Sequence, residues 1–310
     1  MPVSLRLLRM VALIPCAVGL FGVYRYIDNF WLYRGYSPPR EPSFVVMRGH
    51  TEVIKVASPA LGGRSQRVYV YLPPGYDGLR LHRGYPVLYL LHGTPGRPDQ
   101  FLRIVRAGIL DDVLVAQHRA PPLIVVMPFG STGVFTDKEW ANGVRRDEGW
   151  ETFVERDLVD AIDAQYRTLA SGSGRAIGGL SEGGYGALNI ALHHPGEFRV
   201  VESWSGYERA ADVGAIFGHD RRRLDYNSPL AQLPRVASKL RRTGTFIWFY
   251  SGTRDPLRRQ NDEFATLLTR LDVQHEYFVL RGGHDWRLWR GEAQTALLAA
   301  ERGLARARVG

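Results

Sequence analysis

Strand-like runs set apart by segments of helical period leave this 310-residue chain few ways to bury its apolar surface. Residues 85–91 are apolar throughout, the pattern of a strand covered on both faces. Residues 123–127, 175–180, 200–204, 246–250 and 276–280 read as further strands. Residues 44–47, 52–56 and 67–72 open the domain, the last of them running into a Pro73-Pro74-Gly75 turn. Between these runs, residues 100–117, 150–166, 185–194, 258–271 and 286–305 have helical spacing; in one of them Phe153, Leu158, Ile162 and Tyr166 mark a single apolar face. Strands alternating with helices predict an α/β fold in three layers, a mostly parallel sheet covered by helices on both faces.

Within that alternation, Gly179-x-Ser181-x-Gly183 falls between a predicted strand and a predicted helix. This is the pattern that seats a serine nucleophile on a sharp strand-to-helix turn. A hydroxyl is a poor nucleophile, so the motif has meaning only with a base and an orienting acid elsewhere. In this arrangement they follow the serine in the order acid, histidine, on loops after later strands, where an open α/β sheet gathers its site. Asp255 lies just past the run 246–250 and His284 just past 276–280. Ser181, Asp255 and His284 are therefore the candidate catalytic residues. Asp255 also suits a helix cap, with Asp262 and Asp285 as substitute acids, although Asp285 is too near His284 in sequence to reach its distant ring nitrogen easily.

An acyl-transfer site also needs backbone N–H donors aimed at the developing oxyanion. Glu182, the residue after the nucleophile, supplies one candidate, and Thr94 in the loop His92-Gly93-Thr94-Pro95-Gly96 the other. His92 reads as a brace for that loop. Gly93, Trp140, Tyr207 and Trp286 are candidate pocket residues, with core packing as the alternative for the three aromatics. Residues 206–233 lack clear periodicity and would serve either as a lid offering Ile216 and Phe217 to an acyl chain or as an exposed connection.

Composition narrows the function classes. Hydrophobic residues make up 45% and charged residues 23%, consistent with a sizeable core. The net charge of +9 is carried almost wholly by arginine, since only Lys55, Lys138 and Lys239 are lysines. The longest basic run, Arg221-Arg222-Arg223, lacks aromatic interleaving, which argues against nucleic acid as a partner. The single cysteine, Cys16, permits neither an internal disulfide nor a thiolate metal cluster.

Near the N-terminus, Arg6 and Arg9 precede an uncharged apolar run over residues 10–24, followed by the aromatic group Phe30-Trp31-Leu32-Tyr33. The pattern favours an uncleaved signal anchor with the remainder exported and membrane-attached. A cleaved signal peptide, lipid attachment at Cys16 and a helix packed on the domain are the alternatives. Prolines 38, 39 and 42 make the following stretch a linker. The expected division is an N-terminal segment over residues 1–42 and one catalytic domain over 43–310.

Taken together, His92-Gly93-Thr94, Gly179-Leu180-Ser181-Glu182-Gly183-Gly184 and Gly283-His284-Asp285-Trp286 resemble the esterase D and antigen 85 branch of the α/β-hydrolases. Pro128-Phe129-Gly130, Phe135-Thr136-Asp137 and Gly149-Trp150-Glu151-Thr152-Phe153 are similar to segments of the mycolyltransferases. The resemblance implies the α/β-hydrolase fold and ester hydrolysis or acyl transfer through an acyl-enzyme, with no cofactor and no metal. Mycolyltransferases use a glutamate acid and a trehalose site, neither of which maps onto this chain. The expectation is therefore a serine carboxylesterase acting on small or lipid-like esters. An acyltransferase to a sugar hydroxyl is the runner-up, and a catalytically silent binding module the reading from another class. The sequence carries no signal for an oligomeric state.

Overall fold

The computed structural model describes residues 5–78, 84–131, 138–210 and 215–306. The chain divides into two units, residues 1–39 and residues 40–310. In the first, helix α1 (Leu5–Tyr26) continues through a wider helical turn (Ile27–Leu32) in which Phe30 stacks on Tyr26. Among the described residues no helix is long and apolar enough to cross a membrane.

The second unit holds β1 (His50–Ala57), β2 (Ser65–Leu72), β3 (Val87–Leu91), α2 (Ala107–Ala116) and β4 (Ile124–Pro128). A helix then starts as α3 (Trp150–Thr152), widens over Phe153–Leu158 and ends as α4 (Val159–Gln165). Next come β5 (Arg175–Leu180), α5 (Glu182–His193), β6 (Val200–Trp204), α6 (Arg221–Tyr226), α7 (Pro229–Thr243), β7 (Phe246–Gly252), α8 (Arg258–Arg270), β8 (His275–Leu280) and α9 (Trp286–Arg306).

The eight strands form one sheet in the order β1-β2-β4-β3-β5-β6-β7-β8. β1 and β2 pair antiparallel, as do β2 and β4; from β4 to β8 every pairing is parallel. β3, β4, β5, β6 and β7 are buried along their whole length, which explains their unbroken apolar character. Alternate side chains feed two cores, one on each face. Ile177, Leu188, Ile190, Leu233, Leu240 and Phe264 help fill one, under α5, α7 and α8. Leu88, Val125, Trp204, Leu114, Leu297 and Leu304 help fill the other, under α2 and α9. This is the three-layer α/β arrangement that the strand–helix alternation predicts.

Two expectations change. Residues 44–47 do not form a strand: only Val45 is buried, while Val46 is 89% exposed and the run pairs with no strand. Residues 229–243, without a predicted element, form α7. Pro229 sits at the helix start, where its missing N–H costs nothing, and Leu233, Ala237 and Leu240 turn inward. The stretch 206–233 is then short of an open lid. Ile216 and Phe217 are buried, Phe217 lying edge-on to Tyr185, so they do not offer a free apolar surface.

The chain leaves β3 for β4 on one side and returns to β5 on the other. Strand order thus reverses beside β3, and loops after β3 and β5 meet at the carboxyl ends of the strands, the place where open α/β sheets form their crevice.

Candidate active site

Ser181 stands between β5 and α5 at φ 54° and ψ −120°, a conformation that L-residues rarely adopt. Its N–H donates to the Trp204 carbonyl at 2.9 Å, and its carbonyl accepts from the N–H groups of Gly184 and Tyr185, which ties the turn to β6 and to the new helix. The two motif glycines have a packing cause. A Cβ on Gly179 would lie 2.4 Å from the Leu91 carbonyl oxygen, and one on Gly183 would lie 1.9 Å from the same atom. The turn and β3 approach so closely that only glycine fits on either side of the serine.

His284 links the serine to the acid. Its Nε2 lies 2.8 Å from Ser181 Oγ and its Nδ1 lies 3.0 Å from Asp255 Oδ2. A carboxylate can only accept, so Nδ1 carries the proton and Nε2 is left to accept from the serine hydroxyl. The loops holding these residues are joined by backbone bonds from Thr253 N–H to Leu280 and from Arg254 N–H to Gly282. Burial works to raise the Asp255 carboxyl, but hydrogen bonds from His284 and the Leu257 N–H outweigh it and hold the group below its ordinary range. Such a serine–imidazole–carboxylate chain can move a proton off a hydroxyl as it attacks and return it to a leaving group.

The alternative acids are engaged elsewhere. Asp285 Oδ1 accepts from the N–H groups of Arg287 and Leu288, capping α9. Asp262 accepts from the Tyr277 hydroxyl at 2.7 Å. The other oxygen of Asp255 accepts from the Leu257 N–H at 2.9 Å, just before α8, whose N-cap position is Leu257 and carries no side-chain cap, so Asp255 ties down the turn ahead of the helix and does not cap it.

Glu182 N–H lies in the first turn of α5, where helix geometry leaves it without an intrahelical acceptor. Gly93 abuts the nucleophile turn, a Cβ there lying 3.2 Å from Ser181 Cβ, and Thr94 follows it. His92 braces this loop, donating from Nδ1 to the Gly93 carbonyl at 2.8 Å and accepting the Gly130 N–H on Nε2 at 3.1 Å. Burial, and then the charge of Lys138, hold its imidazole well below the usual range, so it stays neutral.

A feature absent from the sequence reading joins the two candidate oxyanion donors. The Glu182 carboxylate forms a buried ion pair with Lys138 and accepts from the Thr94 hydroxyl, and its other oxygen accepts from the Glu139 N–H at 3.0 Å. Lys138 Nζ also donates to Thr94 Oγ1 at 3.0 Å. Side chains thus clamp the Thr94 loop onto the start of α5. Glutamate in the motif gave a signal for this contact; the identity of its cation lay 44 residues upstream.

The aromatic candidates divide. Trp140 has no exposed surface and packs on His92 and Trp150, its indole N–H donating to the His92 carbonyl; it supports the loop from the core instead of walling a pocket. Tyr207 stacks on Tyr185 and donates its hydroxyl to Glu139. Trp286 is half-buried against Trp289, whose ring lies perpendicular to that of His284 at 5.1 Å, a packing contact with the candidate base that the sequence does not show. Glu208 is fully buried, and among the described residues neither of its carboxyl oxygens has a hydrogen-bond partner. Burial and then the nearby Asp255 push it well above the usual carboxylate range, so it adds no charge beside the acid at neutral pH. Residues 135–137, part of the mycolyltransferase-like segment, lie outside the described residues.

Comparison with known proteins gives the family of the chain. The model of the putative esterase family matches residues 58–300. Esterase Rv1288 of Mycobacterium tuberculosis is 29% identical over 253 residues, covering 73% of this chain and 54% of the relative, so the chain spans about half the length of that protein. The diacylglycerol acyltransferase/mycolyltransferase Ag85B of Mycolicibacterium smegmatis is 26% identical over 217 residues, covering 56% of this chain and 65% of its own length. Among solved structures, a ferulic acid esterase superposes with a TM-score of 0.74 at 25% identity, covering 83% of this chain and 99% of that one. The chain belongs to the putative esterase family, in the esterase D and antigen 85 branch of the α/β-hydrolases.

Proposed function

We propose that the protein is a serine carboxylesterase working through an acyl-enzyme, with Ser181 as nucleophile, His284 as general base and acid, and Asp255 as orienting acid. One juxtaposition carries the reading: His284 lies between Ser181 Oγ at 2.8 Å and Asp255 Oδ2 at 3.0 Å. In this mechanism Ser181 Oγ attacks the ester carbonyl as His284 takes its proton, with Asp255 stabilising the imidazolium. The oxyanion is met by the backbone N–H groups of Glu182 and Thr94. Collapse expels the alcohol with the proton from His284, and water repeats the sequence in reverse to free the acid.

A second reading replaces water by a sugar hydroxyl, favoured by the likeness to the mycolyltransferases. The test offers p-nitrophenyl esters of graded chain length, and methyl ferulate, to the wild type and Ser181→Ala, with and without trehalose. Release of alcohol that is lost in Ser181→Ala supports the esterase, and acyl-trehalose would promote the transferase. Activity surviving in Ser181→Ala would sink the triad, while a wild type inert on every ester would favour a binding module. Lipid-like esters suit a membrane-attached, extracytoplasmic enzyme, a placement supported by the apolar N-terminal run after Arg6 and Arg9 and by the exposed Val18, Leu20, Phe21 and Val23 of α1. Recovery in the soluble fraction with residue 1 intact would refute the anchor.

A further inference from the structure

We propose that a pocket beside the β1–β2 edge is a binding site for a phosphate-like dianion, separate from the Ser181 centre. The pocket encloses about 330 Å³, within the range of small-molecule sites. Lys55 and Arg67 line it from directly opposite positions on the antiparallel strands β1 and β2. Like charges in that relation repel, and sheets ordinarily place an opposite or neutral residue across from a cation. Among the described residues neither Lys55 nor Arg67 has an acidic partner.

A third cation, Arg97, lies at the same pocket but is already matched by Asp99, with Nε and Nη2 reaching its two oxygens at 3.3 and 3.1 Å. Among the described residues, the two positive charges of Lys55 and Arg67 thus have no acidic partner. A phosphate monoester or inorganic phosphate carries between one and a half and two negative charges at neutral pH and offers three acceptor oxygens, which matches one ammonium and one guanidinium. Tyr69 and Phe129 supply aromatic walls beside the cations, so the pocket also has apolar surface for the part of a ligand that carries the anion.

Two of its walls continue into the esterase-family site. Arg97 follows the loop that holds Gly93 and Thr94, and the Phe129 ring lies 5.7 Å from that of His92. The Ser181 centre itself contributes no lining residue.

Titration calorimetry of the full chain with inorganic phosphate, at low ionic strength and against sodium chloride of matched ionic strength, tests the site. The expected result is saturable binding of one phosphate per chain. Lys55→Gln and Arg67→Gln should each weaken it by about tenfold, while Ser181→Ala should bind as the wild type does. Ligand-free Lys55→Gln should melt no lower than the wild type, because the substitution removes a repulsion. Absence of phosphate binding, equal binding in the Lys55→Gln/Arg67→Gln variant, an equal effect of chloride, or loss of binding in Ser181→Ala would each overturn the proposal. The readout is independent of ester hydrolysis, so its failure leaves the esterase reading standing, and the reverse.

Discussion

Lys138 and Glu182 form an ion pair in which the two side chains are only 2% and 6% exposed, immediately beside the candidate nucleophile. Desolvating two charges is expensive, and here the remaining valences are filled by the Thr94 hydroxyl and the Glu139 N–H. The pair therefore joins three segments far apart in sequence, and both proposed oxyanion donors lie on segments that it holds.

Removing one partner leaves an uncompensated buried charge. Lys138→Met is expected to destabilise the chain by about 3–5 kcal/mol in urea unfolding at neutral pH. Lys138→Met/Glu182→Gln should recover much of that loss, since neither charge remains. A double variant no more stable than Lys138→Met would mean that the unpaired Glu182 carboxylate is not what destabilises the single variant.

Asp255 gives a prediction that separates chemistry from scaffolding. Asp255→Asn retains an oxygen for the Leu257 N–H but no longer fixes the His284 tautomer, so the rate of ester hydrolysis should fall by about 10⁴-fold with little change in stability. Asp255→Ala should lose the rate and in addition about 1 kcal/mol of stability through the missing hydrogen bond to the Leu257 N–H. An undiminished rate in Asp255→Asn would assign the acid role elsewhere.

These residues also mark how far sequence reading reaches. Ser181, Asp255 and His284 were legible because each falls at the end of a strand-like run, and strand ends are local patterns. Residues 85–91, 175–180 and 200–204 were legible because burial on both faces leaves an unmistakable apolar run. Lys138 and Trp289 were not: the first acts through Glu182, 44 residues away, a contact that exists only once the two segments meet, and the second packs edge-on to His284 only because the first turn of α9 points its ring that way. Trp140 misled for a similar reason, since a tryptophan near a motif reads the same whether it faces a pocket or, as here, packs beneath His92. In α7 the two prolines mask a helix whose formation is decided by burial of Leu233, Ala237 and Leu240.

Two carboxyls on the sheet's other face contribute to the pH dependence of stability. Burial pushes Glu202 up to about 8, against hydrogen bonds from the Trp204 indole and the Ala300 backbone and with a smaller upward push from Glu301. Burial likewise pushes Glu301 up to about 8, with Arg302 pulling it down. Both stay protonated in the folded chain where the unfolded chain has already ionised them, so unfolding releases protons and stability falls as pH rises from about 4.5 to about 8. Glu202→Gln/Glu301→Gln should flatten this decline and exceed the wild type at pH 8 by about 1–3 kcal/mol. Urea unfolding at both pH values checks it; an identical slope in the variant would exclude these two groups as its source.

The turn at Ser181 predicts a conflict between stability and activity. Its φ of 54° with ψ of −120° is unfavourable for any residue bearing a Cβ, at about 1–3 kcal/mol. Ser181→Ala keeps the Cβ and hence the strain, while Ser181→Gly relieves it at a cost of about 0.4–1 kcal/mol in unfolded-chain entropy. Both variants lose the hydroxyl contact with His284, so their difference isolates the backbone. Ser181→Gly should therefore be inactive yet more stable than Ser181→Ala by about 1 kcal/mol. If thermal and urea unfolding instead rank the glycine variant below the alanine variant, the serine's conformation stores no strain, and its sharp turn is held only by the close approach of Gly179 and Gly183 to Leu91.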